Sequence, residues 1–146
     1  MRATQTTTIR RLHPEEAPGL APLLDSAGYP ATAEQLRARV ERITADPAYA
    51  IWGAFAGEQL VAVSAATLLW PLEADAPVVQ VLAIVTHPEH RRQGVASALM
   101  DEVERWARDH RAGILAVING SLRESAREFY ERRGFGETGI RFEKWL

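Results

Sequence analysis

The residues with the most chemical content lie between Val81 and Ala96, in the stretch VLAIVTHPEHRRQGVA. An apolar run ends, a short polar loop carries two arginines, and a glycine stands where a helix would open. This pattern describes an anion site. The first amides of a helix have no internal partners, and the macrodipole adds partial positive charge there. Gly94 has no side chain, so the backbone can come close to a phosphate. Arg91 and Arg92 add cationic donors beside it. Against this reading stands the ordinary behaviour of loop arginines, which are solvated, and the frequency of glycine at helix starts. There is no G-x-G-x-x-G and no Gly-Lys-Ser/Thr, so dinucleotide and P-loop fingerprints are absent. A phosphate bound here would belong to some other ligand.

Other constellations exclude more than they offer. The 146 residues contain no cysteine. That removes a disulfide framework, a thiolate zinc site and a cysteine nucleophile. His87 and His90 are three apart, but with proline between them and no third ligand nearby a metal is not expected. No G-x-S-x-G elbow appears, which argues against a serine hydrolase. Seventeen basic and 19 acidic side chains leave a formal charge of −2, which argues against a nucleic-acid binder with a broad basic face. No apolar run approaches ~18 residues, so no membrane span is expected. The opening MRATQTTTIRR lacks the apolar core of a signal peptide. A soluble cytoplasmic protein is the expectation. With 47% hydrophobic and 25% charged residues over this length, residues 1–146 read as a single domain.

Short apolar runs alternating with amphipathic segments predict one α/β domain. Thr7 to Leu12 reads as a first strand. A helix opens near Pro18, with Leu20, Leu23 and Leu24 on its apolar face, and stops at Gly28-Tyr29-Pro30. Thr32 and Gln35 stand in capping-box spacing ahead of Leu36, Val40 and Ile43. Tyr49 to Ala56 and Leu60 to Trp70 flank a three-residue turn and predict an antiparallel hairpin. Pro71 to Pro77 is a polar loop. Val78 to Val85 is almost continuously apolar, as in a central strand covered on both faces. Val95 to Arg111 predicts a helix, with Gly113 as its left-handed cap. Ile114 to Ile118 is another buried strand. Ser121 and Glu124 form a second capping box, on a helix that ends at Gly134. Residues 136–146 close the chain with one or two strands. The order is β-α-α-β-β-β-α-β-α-β, and the crossover from Val78 through Ile118 makes two strands parallel.

On these residues the chain resembles the GNAT acetyltransferase superfamily. Arg91-Arg92-Gln93-Gly94-Val95-Ala96 matches the family's (Q/R)-x-x-G-x-(G/A) signature, between the fourth strand and the third helix. Val85-Thr86-His87-Pro88-Glu89 is similar to its "V-x-P-x-x-R" lead-in, with one extra residue. Ser125 to Phe135, SAREFYERRGF, is similar to its "A-x-x-F-Y-x-x-x-G-F" stretch. The element order agrees along nearly the whole chain, although the N-terminal part contributes order more than motif.

The resemblance implies acetyl-CoA as co-substrate and no metal. Its diphosphate would meet the amides of Gln93, Gly94, Val95 and Ala96, with Arg91 and Arg92 nearby and a hydroxyl from Ser97. The family's fourth and fifth strands splay apart to admit pantetheine, which maps to Ile84 and Val85. Asn119 holds a position that often contacts the same arm. Tyr130 matches the tyrosine that faces the thioester sulfur, where a phenol can donate to the departing thiolate. The acceptor would be a small-molecule or peptide amine, near Tyr29, Trp52 and Trp70, with Glu73 and Asp75 attracting its positive charge.

Two positions depart from the family. Its asparagine three residues before the helix alanine is Arg123 here. Its strand glutamate, the usual base, is missing from Val78 to Val85, which leaves Glu73, Asp75, His87 or a relayed water. The expected activity is direct N-acetyl transfer to a primary amine. The rival is a non-catalytic acyl-CoA-binding module, and a third reading is transfer of a longer acyl group. Pairing of the apolar C-terminal strand across subunits leaves a homodimer open.

Overall fold

The structure, a computed structural model, describes residues 6–118 and 124–146, the latter without the side chains of Glu124 and Ser125. Its centre is a mixed sheet of five strands: β1 (Thr7–Arg11), β2 (Tyr49–Ala56), β3 (Gln59–Leu69), β4 (Val78–Thr86) and β5 (Ile114–Val117). Their order in space follows their order in sequence. The first four are antiparallel to their neighbours, and β4 and β5 are parallel. The helix between them, α3 (Val95–Asp109), provides the crossover.

Two apolar layers hold the sheet, because alternate strand residues point to opposite faces. On one face Trp52, Ala54, Val61, Val79 and Val81 pack with Val95, Leu99, Met100, Val103 and Trp106 of α3. On the other, Ile51, Phe55, Val63 and Ala65 meet Leu12, Leu20, Leu23, Leu36 and Val40. These last come from α1 (Leu20–Ser26), α2 (Ala33–Ala45) and the chain before them. Fully burying a side chain such as Leu99 or Val103 stabilises by roughly 1.5–3 kcal/mol, so α3 is held to the sheet chiefly by its apolar stripe.

Local signals account for most boundaries. Thr32 Oγ1 accepts from Gln35 N at 3.1 Å, and Gln35 Oε1 accepts from Thr32 N at 2.9 Å, closing the capping box of α2. The segment before α1 begins earlier than expected, as a 3-10 turn over Pro14–Gly19. Pro22 then falls in the first turn of α1, where its missing N–H costs no helical bond. The fourth helix, α4 (Glu124–Arg132), ends on Gly134 at φ +90°, with Phe135 N donating to Tyr130 O at 3.0 Å.

Three expectations are corrected. The left-handed residue that ends α3 is Arg111 at φ +57°, not Gly113. Ala112 N donates to Ala107 O at 2.9 Å, so hydrogen bonding compensates a conformation that glycine would adopt without strain. Gly113 instead sits at a bend just before β5, its amide donating to Pro77 O. Trp52 is not at a ligand surface. It is 4% exposed and meets Trp106 edge-on, with ring centroids 5.8 Å apart. Residues 136–146 form no strand. The Ser121–Glu124 capping box, Asn119 and Arg123 lie outside the described residues. Among the described residues no helix is long and apolar enough to cross a membrane.

Candidate active site

The end of β4 and the start of α3 build the site. Pairing between β4 and β5 runs only from Val78 with Ile114 to Val81 with Val117. β4 continues through Thr86, bonded only to β3. Just where the pairing stops, the β3–β4 register shifts between Ala65 and Ala66, leaving Leu82 as an extra residue on β4. Such a bulge bends a strand and ends regular pairing. Beyond Val81, the backbone of Ile84 and Val85 lies on a stretch of β4 that, among the described residues, pairs with β3 alone.

The loop after β4 turns tightly. Pro88–His90 form a short 3-10 turn, and Glu89 N donates to His87 Nδ1 at 3.2 Å. Arg92 and Gly94 both adopt positive φ, +62° and +77°. Nothing lies within 4 Å of where a Cβ on Gly94 would sit, so glycine serves conformation here rather than space. Ala98 N is the amide that returns to Gly94 O. The amides of Val95, Ala96 and Ser97 precede that bond, at the positive end of α3.

A cleft of about 510 Å³ opens at this point. Thr86, Arg91, Arg92, Gly94, Val95, Ala96 and Ser97 line it, together with His90, Phe129, Arg132 and Arg133. Arg91, Arg92 and Gln93 are exposed. Sequence reasoning missed Arg132 and Arg133, although their position just before the Gly134 cap was a usable signal. Arg133 is the structural member of this set. It donates to Ser97 Oγ at 2.7 Å, Asp101 Oδ1 at 2.6 Å and Glu104 Oε1 at 3.1 Å, tying α4 to the first turns of α3. The Ser97 hydroxyl is thus already an acceptor for Arg133, and its own proton remains free to donate. Arg132 meets Glu128 at 3.4 Å on the exposed face of α4.

Tyr130 sits beside the cleft rather than on its wall. Its ring meets Phe129 and Phe135 edge-on, with centroids 5.4 and 5.7 Å apart, and packs on the α3 side of the core. Burial pushes its phenol above the ordinary value, so it stays protonated at neutral pH.

The acceptor candidates are dispersed. Tyr29 and Trp70 are each 71% exposed. Glu73 and Asp75 are exposed in the loop before Val78, at the opposite end of β4 from Thr86. A nine-residue strand separates the two ends by roughly 25–30 Å. Gln80, the one polar residue between Val78 and Val85, pairs with Thr67 and Ala116.

Comparison with known proteins gives a consistent result. The family model described as "Acetyltransferase (GNAT) family" matches residues 9–135. N-acetyltransferase family 8 member 2 of Rattus norvegicus is 31% identical over 91 residues, 62% of this chain, and the match spans only 40% of that relative's length. A GNAT family acetyltransferase of Staphylococcus aureus superposes with a TM-score of 0.82 at 22% identity, over 96% of this chain and 98% of that one. The aminoglycoside N-acetyltransferase AAC(6')-Iy, solved in complex with CoA, gives 0.81 at 21% identity, over 97% and 95%. The same enzyme was also solved with a bisubstrate analogue, CoA-S-monomethyl-acetylneamine.

Proposed function

The chain belongs to the acetyltransferase (GNAT) family, and from that premise we propose that it is an acetyl-CoA-dependent N-acetyltransferase, transferring directly to a primary amine. One observation carries the reading. Among the described residues the parallel pair β4 and β5 shares hydrogen bonds only as far as Val81 and Val117, and β4 then leads straight into a cation-lined cleft at the start of α3.

These residues suit CoA. A diphosphate calls for several donors at once, which the amides of Gln93 to Ala96 and the guanidinium groups of Arg91 and Arg92 supply. Ser97 adds a hydroxyl proton, with its oxygen held by Arg133. A pantetheine arm carries amides, which pair as a strand does, and the open side of β4 at Ile84 and Val85 offers that edge. Asn119, just past β5 in the sequence, is the further candidate contact for the same arm. When bound, acetyl-CoA supplies an activated acyl group as a thioester.

The chain's own groups then divide the work. Unpaired β4 amides beyond Val81 are donors for negative charge developing on the acyl oxygen. Tyr130 keeps its proton at working pH and donates to the departing sulfur. The amine enters from the other end of β4, where Glu73 and Asp75 attract a cation and exposed Trp70 offers an aromatic face, while exposed Tyr29, just after α1, is a separate candidate. An amine with a lysine-like pKa near ~10 must lose a proton before attack. Glu73, Asp75, His87 and a water passing its proton to a backbone carbonyl are the candidate acceptors for it. The bisubstrate complex of the aminoglycoside enzyme, which joins CoA to an amine acceptor, supports direct transfer as a reaction class.

The test is thiol release from acetyl-CoA across a panel of amines. Turnover with at least one primary amine is expected. Acetyl-CoA bound but never consumed favours the non-catalytic module, which the lack of a carboxylate on β4 supports. Thermal shifts across acyl-CoA chain lengths separate acetyl from longer-acyl transfer.

A further inference from the structure

Arg133 behaves unlike the other arginines of the cleft. Arg132 beside it is exposed, but the Arg133 side chain is only 17% exposed. A guanidinium leaves water to that extent only where polar or charged groups replace the water. Three do so here. One terminal nitrogen donates to Ser97 Oγ, and the other donates to Asp101 Oδ1 and Glu104 Oε1. Two carboxylates thus neutralise a cation that lines a cleft suited to an anion. Arg133 is engaged by the protein before any ligand arrives.

Its partners all lie on the first turns of α3, and its backbone lies in the turn that closes α4. Arg133 N and Phe135 N both donate to Tyr130 O, at 3.1 and 3.0 Å. Among the described residues, the other ion pairs of this stretch, Arg127 with Glu137 and Arg132 with Glu128, stay within it, and Arg133 alone reaches another element. One side chain therefore joins the turn that would hold the diphosphate to the turn that carries Tyr130.

Ser97 shows a consequence. A serine inside a helix often turns its hydroxyl back to a carbonyl one turn earlier. Among the described residues Ser97 makes no such bond, and its oxygen accepts from Arg133 instead. A hydroxyl has one proton. That proton remains free in a residue that lines the cleft.

We propose that Arg133 is a positioning residue for acetyl transfer. It holds Ser97 for the coenzyme diphosphate and fixes Tyr130 relative to α3. The group that binds the coenzyme and the group that protonates the departing sulfur then share one anchor. This inference rests on the acetyl transfer proposed above. Misplacing a reacting group by about 1 Å can cost on the order of 100-fold in rate, so a clamp remote from the reacting atoms can still govern turnover.

Double-mutant cycles separate positioning from plain stability. Arg133→Gln should lower kcat about 10-fold in the wild-type background. Where Tyr130→Phe has already removed the proton donor, it should lower kcat less than about 2-fold. Calorimetry should show CoA affinity weakened roughly 3–10-fold, the worth of one hydrogen bond, with no further loss once Ser97→Ala is present. Arg133→Lys keeps the charge without the planar fork. It should give the same pattern at smaller size, and it decides the matter if Arg133→Gln does not fold. Equal losses in both backgrounds would make Arg133 a fold-stabilising ion pair or a direct phosphate contact, and would overturn the proposal. Unchanged kcat and affinity would overturn it as well. Failure of the acetyl-transfer reading looks different: no amine is acetylated, or Tyr130→Phe alone changes nothing. That result overturns the Tyr130 half, and the calorimetric cycle still decides the Ser97 half.

Discussion

The strands β2 and β3 at the centre of the sheet and β5 at its edge have the same kind of apolar sequence but opposite surroundings. In β2, every residue after Tyr49 is buried, and in β3 the buried run extends from Leu60 to Thr67. In β5 none is buried, although ILAV is as apolar as either. The difference lies in what stands on each side. β2 and β3 have strands on both edges and helices over both faces. Among the described residues β5 has one strand neighbour, and that pairing covers four residues. The same contrast separates scaffold from chemistry. The closed part holds the geometry, and the open part leaves backbone groups and a cleft available to ligands. Regions with few buried contacts are also those that open most easily.

Several substitutions would break or sharpen this contrast. The largest effect is expected at Gly94→Glu. A side chain at φ +77° carries strain of roughly 1–2 kcal/mol, and its carboxylate would occupy the diphosphate position. Calorimetry should show acetyl-CoA affinity lost entirely, while the melting temperature falls by less than about 8 °C. Normal affinity would remove the diphosphate assignment.

Leu99→Ala probes the closed part directly. Leu99 is fully buried on α3, and its truncation should cost about 2–5 kcal/mol in urea denaturation. Leu115→Ala, in half-buried β5, should cost less than half as much. Equal costs would mean that β5 is as covered as the rest, and the contrast would collapse.

Tyr130→Phe tests the open part. Turnover should fall about 100-fold or more with acetyl-CoA affinity and melting temperature unchanged. Because burial raises the phenol's pKa, the wild-type alkaline limb from this group should appear only above the ordinary value near ~10. Unchanged turnover would leave Tyr130 as core packing alone.

The smallest effect is expected far from both, at Glu16→Gln. Glu16 accepts two bonds from Arg10 and one from His13 N. The Arg10 hydrogen bond, more than any other influence, lowers its pKa. Stability from this group is therefore present above the ordinary carboxylate value and lost as pH falls through the lower folded one. Since the pair is partly solvated, the variant should lose only about 0.5–1 kcal/mol at neutral pH. Urea titrations should show that gap narrowing in acid.

Particular residues show what could be read in advance. Thr32 with Gln35, and the opening of a helix at Gly94 ahead of Val95, were legible because capping and helix initiation are decided within one turn of chain. The run from Val78 to Val85 was legible as a central strand because two-sided burial leaves no room for polar alternation. Trp52 misled, since an aromatic on an alternating strand carries no mark of which face it takes. Gly113 misled because glycine permits the left-handed cap without requiring it, and Arg111 took it instead. Arg133 was invisible as the clamp on Ser97, Asp101 and Glu104 because its partners lie on another helix.

By itself, then, the sequence determined the element order through β5 and α4, the starts of α2 and α3 and the family motifs. These depend on periodicity and on contacts a few residues apart. Only the tertiary structure decided how far β4 and β5 pair, which cations converge on the cleft, and that, among the described residues, nothing buries β5 or residues 136–146. Those depend on which segments, distant in the chain, occupy the same space, and an apolar run carries no record of whether a neighbour arrives to cover it.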